Sequence, residues 1–314
     1  MIVAIVQALF VTVLWSSSFI IVKFGLAEIP PALFAGLRYS IASVILLALI
    51  IGKKDMRESA RGRPRKWWTL LIVYGLVYIA LTQGTQFIGL YYLPATTLSL
   101  ILNMTPIIVV LMAIPWLGEK PSVIESGLIA LGIIGVLIFF YPLDFVGVSI
   151  IGLIIGLISL IGNAFSSVIG RVINRPRDTP ALVVTGIMMS VGSIGLMIFG
   201  LLTEPLYPLS PLSWFYILWL AVVNTAFAFT LWTRSQRILR AIDMTLINST
   251  MMPQIVVLSI IFLGEQLDIF DWIGLILLAV AVAAVQVIQA SKANNSVQRS
   301  SAAGKVTIKT APEG

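Results

Sequence analysis

A few polar side chains interrupt the long apolar runs of this 314-residue chain, and any chemistry has to begin with them. Trp15 and Ser18 stand with Thr12 at helical spacing, while Gln83 and Gln86 lie three apart on one helix face, with Tyr78 and Thr82 nearby. Ser99 and Asn103 precede Pro106, Asn163 is followed by Ser166 and Ser167, and Asn224 is followed two turns on by Trp232. Asn248 and Gln254 flank Pro253. Arg38 lies about two turns into its run, roughly 9 Å deep at 1.5 Å per residue. Amides and hydroxyls hold ligands by hydrogen bonds, and indoles stack on aromatic or cationic groups. Covalent chemistry needs an activated nucleophile or a metal. The chain has no Cys and no His, and no Asp or Glu falls deep in a run. No catalytic residue, metal site or cofactor is therefore assigned.

Each of these residues also has a second use. Amides in a bilayer join helix to helix through hydrogen bonds of about 0.6–2 kcal/mol. For any single amide both roles stay open, while the set together points to a cavity. Ser16–Ser18 have small side chains that let helices pack closely, and Gly152 and Gly156 have the spacing for close helix contact without chemistry. Arg38 can hold an anion such as a substrate carboxylate, snorkel outward, or pair with Glu28.

The elements that position these residues follow from the solvent. Hydrophobic residues make up 59% of the chain and charged residues 11%, against about 25% charged in soluble domains. Lipid must surround most of it. Windows long enough to cross about 30 Å of hydrocarbon fall at 2–24, 32–52, 67–90, 94–116, 122–141, 148–170, 180–201, 213–233, 242–263 and 270–290. The first lacks the basic leader of a cleaved signal peptide. Apart from Lys23 and Arg38, every Lys and Arg lies on one side of this ten-span layout, which makes that side and both termini cytoplasmic. The same bias explains the net charge of +7 without nucleic acid. The opposite loops hold acids, among them Glu28, Asp144, Glu204, Glu265, Asp268 and Asp271. Trp67, Trp68, Trp116, Trp214, Trp219 and Trp272 lie near span ends as an interfacial belt. Residues 291–314 read as a disordered basic cytoplasmic tail.

Two of the runs are versions of one helix. Thr97–Glu119 (TLSLILNMTPIIVVLMAIPWLGE) and Thr245–Glu265 (TLINSTMMPQIVVLSIIFLGE) match Pro106 to Pro253 and share a Leu-Gly-Glu ending. Pro31-Ala32-Leu33 and Pro180-Ala181-Leu182 echo the same division, into 1–141 and 142–290 with five spans each. An odd number of spans sends the second copy into the membrane from the opposite side. The fold class is thus all-α integral membrane, ten transmembrane helices as two inverted five-helix repeats. That is the plan of secondary transporters, with the site near the midplane. Each proline removes a backbone hydrogen bond and frees a carbonyl, near residues 102 and 249, that only protein or a water-filled cavity can satisfy. Pro106 and Pro253 are therefore candidate hinges, and Asn103–Pro106 is expected to face Asn248–Pro253 across the midplane.

Leu14–Lys23 (LWSSSFIIVK), Phe34–Tyr39 (FAGLRY), Thr225–Gln236 (TAFAFTLWTRSQ) and both Pro…Leu-Gly-Glu helices resemble the drug/metabolite transporter superfamily in its EamA-type branch. The resemblance covers residues 1–290. Arg38 resembles that family's helix-2 arginine, whereas Ser16-Ser17 depart from the Gly usual after Trp15. It implies two EamA repeats, a central cavity and alternating access, in exporters of amino acids and cationic drugs and carriers of other metabolites.

The expectation is a multi-pass plasma-membrane transporter, monomeric or a weak homodimer, exporting or exchanging a small metabolite. Amino acids and their analogues come first, because a phosphate ester would need several Lys or Arg within the spans. The lack of a deep carboxylate favours facilitated transport or exchange over carboxylate-based proton coupling. Flipping of a lipid-linked sugar and a non-transporting sensor or assembly subunit remain as alternatives.

Overall fold

The computed structural model describes residues 2–117, 122–141, 149–174, 178–239 and 247–309. Eight of its helices are long and apolar enough to cross a membrane and two more are shorter apolar helices, giving the ten expected spans. They are α1 (Ile2–Gly25), α2 (Pro31–Ile51), α3 (Arg65–Tyr92), α4 (Ala95–Asn103, continued by Thr105–Leu117) and α5 (Val123–Phe139). The second half holds α6 (Ile150–Asn174), α7 (Ala181–Thr203), α8 (Pro211–Ala221, then Val222–Phe227 and Ala228–Ile238), α9 (Met251–Leu263) and α10 (Ile269–Lys309). A short polar helix, Lys54–Ala60, occupies the basic stretch after α2. The backbone of α10 stays helical past Ser291, where the sequence predicts a disordered tail. The reason is cooperativity: a helix already nucleated in the membrane propagates more easily than a new one starts.

Both proline helices break, and at matched points. The chain turns at Met104 (φ −72°, ψ −7°) in α4 and at Thr250 (φ −69°, ψ −12°) before α9. Pro106 is then the second residue of a helical segment and Pro253 the third, positions whose N–H has no intrahelical acceptor in any case. The Leu102 carbonyl that Pro106 cannot serve accepts the Thr105 hydroxyl at 2.6 Å.

Helices of one half pack chiefly on helices of the other. α2 lies along α7 and α5 along α10, the two most extensive pairs. The contacts of α1 with α9 and α8 are repeated by those of α6 with α4 and α3, as an inverted repeat requires. Glycines allow the closest approaches. A Cβ on Gly75 of α3 would sit 2.3 Å from the Met188 carbonyl oxygen of α7, and one on Gly192 would sit 2.2 Å from the Gly75 oxygen.

The acidic outer loops have a structural task. Even-numbered helices begin outside, so their free N–H groups and positive dipole ends lie there. Glu204, at the end of α7, accepts the Ala32 and Leu33 N–H groups of α2 at 2.9 and 2.8 Å. Glu265 accepts the Ala95 and Thr96 N–H groups of α4 at 2.7 and 3.1 Å, together with the Thr96 hydroxyl. Glu28 accepts the Ser210 and Ser213 hydroxyls at the start of α8. Those two donors hold its carboxyl below the ordinary 4.5, so its stabilisation is complete above that pH and is lost as pH falls through the lowered value. Asp268 and Asp271 cap α10 reciprocally. The first three clamps each join one half of the chain to the other. Glu265 reaches α4 because Gly264 ends α9 in the left-handed region at φ +67°. Glu119, its counterpart in the sequence, lies outside the described residues.

Removing the Glu265 cap with Glu265→Ala is expected to lower stability by about 0.5–2 kcal/mol, read as an earlier thermal transition of the protein in detergent. Glu265→Gln, which keeps an acceptor oxygen, should lose less.

Candidate substrate site

The polar centre forms where α1, α2 and α3 of the first half meet α8 of the second. Arg38 does not snorkel and does not meet Glu28; it is buried, 6% exposed. Its Nε donates to Thr225 Oγ1 at 3.0 Å and its Nη2 to Ser18 Oγ at 3.5 Å. The guanidinium also lies 5.2 Å from the Tyr39 ring centroid and 5.7 Å from that of Phe87. Two of its five N–H donors are thus engaged by neutral hydroxyls, and no carboxylate pairs with it among the described residues. Of the three uses open to Arg38 in the sequence, the pair with Glu28 does not form, and that carboxylate is engaged by the clamp on α8.

Asn224 is fully buried beside it. Its Nδ2 donates to the Leu14 carbonyl, to Ser17 at 3.1 Å and to Ser18 at 3.0 Å. Its Oδ1 has no partner among the described residues. The Leu14 carbonyl fixes this orientation, since a flipped amide would set two acceptors against each other. Ser18 therefore accepts from both Arg38 and Asn224 while donating to Leu14 O at 3.2 Å. Gln83 joins through Tyr39, whose hydroxyl donates to its Oε1 at 2.7 Å.

One to two turns toward the cytoplasmic side lies an aromatic group. The Trp15 ring centroid is 4.9 Å from Trp232 and 5.3 Å from Phe229. The spacing of Thr225, Phe229 and Trp232 keeps them on one face of α8.

Two of the four helices at this centre, α3 and α8, are locally unwound. Leu76–Gln83 in α3 and Val222–Phe227 in α8 are π-helical. In each, a threonine hydroxyl caps the carbonyl five residues back: Thr82 on Val77 and Thr225 on Leu220, both at 2.8 Å. Such π turns are often found at functional sites. Here the wider turn allows Thr225 to serve both the backbone and Arg38.

Residues 2–141 and 150–286 each match the EamA-like transporter family. The chain belongs to that family. As an EamA-like protein it is a multi-pass membrane protein, with one matched segment in each half. It is 30% identical over 198 residues to an uncharacterized transporter, YvbV, of Bacillus subtilis, a match spanning 62% of each chain. It is 27% identical over 172 residues to a probable amino-acid metabolite efflux pump of Escherichia coli, covering 54% of this chain and 52% of the other. The matched stretches thus span just over half of these relatives' own length. A solved crystal structure shares the fold with a TM-score of 0.64 at 18% identity, covering 92% of this chain and 97% of that one.

Of the residues predicted for the EamA-like site, Trp15, Ser18, Arg38, Gln83, Asn224 and Trp232 come together. The rest do not. Gln86 and Asn163 are half-buried on α3 and α6 and form no side-chain hydrogen bond among the described residues. Asn103 turns onto its own helix, donating to Ser99 O at 3.2 Å. Asn248 and Pro253 are exposed, and Pro106 is half-buried. The α4–α9 contact is filled instead by Leu100, Ile107, Met252 and Val256, because an amide at that contact would need a partner that neither helix provides. Gln254 serves a separate α1–α9 junction, with Thr12 at 3.1 Å, Ser16 at 3.0 Å and Thr250 at 3.0 Å. An apolar cavity of about 100 Å³, lined by Leu33, Leu37, Met197 and Tyr207, lies near the outer end of α2 and α7 and offers no charge. Tyr39, Thr225, Phe87 and Phe229 escape a search for isolated amides and charges. Only the adjacency of Tyr39 to Arg38 and of Thr225 to Asn224 signals two of them.

Thr225→Val should be harmful beyond its size. It leaves both the Leu220 carbonyl and the Arg38 Nε without their partner, at about 1–3 kcal/mol for each buried group. A lower melting temperature than that of Thr230→Val, whose hydroxyl bonds the Ala226 carbonyl at 2.8 Å, checks it.

Proposed function

We propose that the chain is a secondary transporter of small zwitterionic metabolites, amino acids and their analogues, with Arg38 holding the substrate's carboxylate. The observation that carries this reading is a buried guanidinium at the meeting of the two halves whose partners among the described residues are all neutral. A positive charge in that setting is stabilised by an arriving anion, and bidentate geometry suits a carboxylate. The aromatic group beside it suits the apolar remainder of such a molecule. The name of the Escherichia coli relative agrees with this class.

Transport is by alternating access, with the two five-helix halves, 1–141 and 142–290, moving against each other. The outer clamps of Glu28, Glu204 and Glu265 cross between the halves and must part when the site opens outward. On the cytoplasmic side Arg63 donates to Asp178, including its backbone oxygen at 2.8 Å, and that link must part when the site opens inward. The broken helices α4 and α9 supply the hinges. Among the described residues no carboxylate lies at the centre, which favours a cycle driven by the substrate gradient or an exchanged substrate.

In proteoliposomes preloaded with an amino-acid mixture, uptake of external labelled amino acid is expected without an imposed pH gradient. Arg38→Gln should reduce it roughly 10- to 100-fold, since a hydrogen bond to a charged group contributes about 1.5–3 kcal/mol. Uptake that proceeds unchanged in Arg38→Gln removes the anchor. The chain contains no Cys, so Thr96→Cys with Glu265→Cys, joined by a bifunctional thiol reagent, tests the clamp. Cross-linking should stop turnover while leaving ligand-induced thermal stabilisation in place. Pro106→Ala and Pro253→Ala should slow turnover more than they lower stability, because without the ring's clash on the preceding turn the helix can run through the break; equal flux in both variants would show that these helices do not move.

A further inference from the structure

The Asn224 carbonyl oxygen is buried and without a partner among the described residues, although the rest of that side chain is fully engaged. A buried acceptor left open is costly, and the orientation that leaves it open is enforced by the Leu14 carbonyl. Arg38, which still has N–H donors without a partner among the described residues, shares the Ser18 hydroxyl with Asn224. Unfilled donors and an unfilled acceptor thus belong to two side chains that meet at one hydroxyl, while the Trp15–Phe229–Trp232 group begins about one turn, some 5 Å, further along α1 and α8.

We infer that Asn224 is a specificity-determining residue whose Oδ1 accepts the substrate's ammonium while Arg38 takes the carboxylate. This rests on the transporter reading above and adds to it a second, separately testable contact. An α-amino acid presents a carboxylate and an ammonium on one carbon, which matches two complementary groups on either side of one hydroxyl. A carboxylic acid without the amine leaves the Asn224 acceptor unfilled. An amine without the carboxylate is brought against an uncompensated guanidinium. A site that hydrogen-bonds a polar group rejects the analogue lacking it far more strongly than an apolar pocket rejects a missing methylene. Polyamines and cationic drugs are therefore excluded, despite the aromatic faces.

The experiment compares three probes on the purified full chain by thermal shift: L-phenylalanine, 3-phenylpropionate and phenethylamine. Phenylalanine should stabilise the protein at concentrations at least tenfold lower than either analogue. Asn224→Ser should erase its advantage over 3-phenylpropionate, whereas Arg38→Gln should erase stabilisation by both. The comparison of the three probes on the unaltered chain stands alone if the Asn224 variant fails to fold. Equal stabilisation by phenylalanine and 3-phenylpropionate overturns the ammonium contact, and phenethylamine matching phenylalanine overturns the carboxylate anchor. No response to any of the three overturns both contacts. Flux of some other solute through the reconstituted chain would then leave the transporter reading standing, and absence of all flux would remove that as well.

Discussion

Hydrocarbon offers no hydrogen bonds, so every backbone N–H and carbonyl at membrane depth must find its partner inside the protein. The distinctive features of this chain are answers to that constraint. Where α3 and α8 widen into π turns, Thr82 and Thr225 cap the loosened carbonyls. The break ahead of Pro106 leaves the Leu102 carbonyl, and Thr105 covers it. Helices that begin at the outer surface have N–H groups without acceptors, and carboxylates from the other half of the chain supply them. In a soluble protein water would do much of this. Here the demand for partners dictates which loop ends touch which helices, and so how the halves are held together.

The same constraint gives the polar centre its character. A guanidinium in lipid ordinarily pairs with an acid or reaches the interface, and Arg38 does neither. Its partners are two hydroxyls and two ring faces, which can tolerate the charge but do not neutralise it. Had an Asp or Glu occupied the position of Thr225, the centre would be a closed ion pair with little reason to bind an anion. Neutral partners keep the charge available. The cost of keeping it so falls on the surrounding packing, where Phe34 and Phe87 are almost completely enclosed.

Much of the architecture was legible in the sequence because membrane topology rests on two robust signals, apolar length and the side of the basic residues. The ten spans, the inversion and the break at each proline all follow from these and from repeat matching. The π turns were not legible. Residues 76–83 and 222–227 read as ordinary apolar helix, and only the Thr82–Gln83 and Asn224–Thr225 pairs mark them. The outer clamps were visible as acids in loops but not as caps, since capping depends on which helix end folds back beside each carboxylate. Among the amides, spacing along one helix could not separate ligand contact from helix joining. Asn103 and Asn224 look alike in sequence, yet one turns onto its own backbone and the other ties α8 to α1 with an oxygen to spare.

Inversion also explains why equivalent positions differ in chemistry. Trp15 and Ser18 of α1 correspond to Asn163 and Ser166 of α6, and α8 corresponds to α3. In the first arrangement Ser18 is saturated by Asn224, Arg38 and Leu14. In the second, the buried Ser166 hydroxyl has no partner among the described residues. Nothing there replaces what Arg38 provides: aligning Pro31-Ala32-Leu33 with Pro180-Ala181-Leu182 sets the apolar Ile187 of α7 opposite Arg38 of α2. With Arg38 as the proposed anchor, a single charge on one side of a pseudo-symmetric pair of halves would give the substrate one orientation in the site. Two matched arginines would have offered it two, and would have repelled each other across the same centre. The two halves can therefore share a structural plan, with breaks at both proline helices, π turns and crossed packing, while among the described residues a buried arginine stands in the first alone.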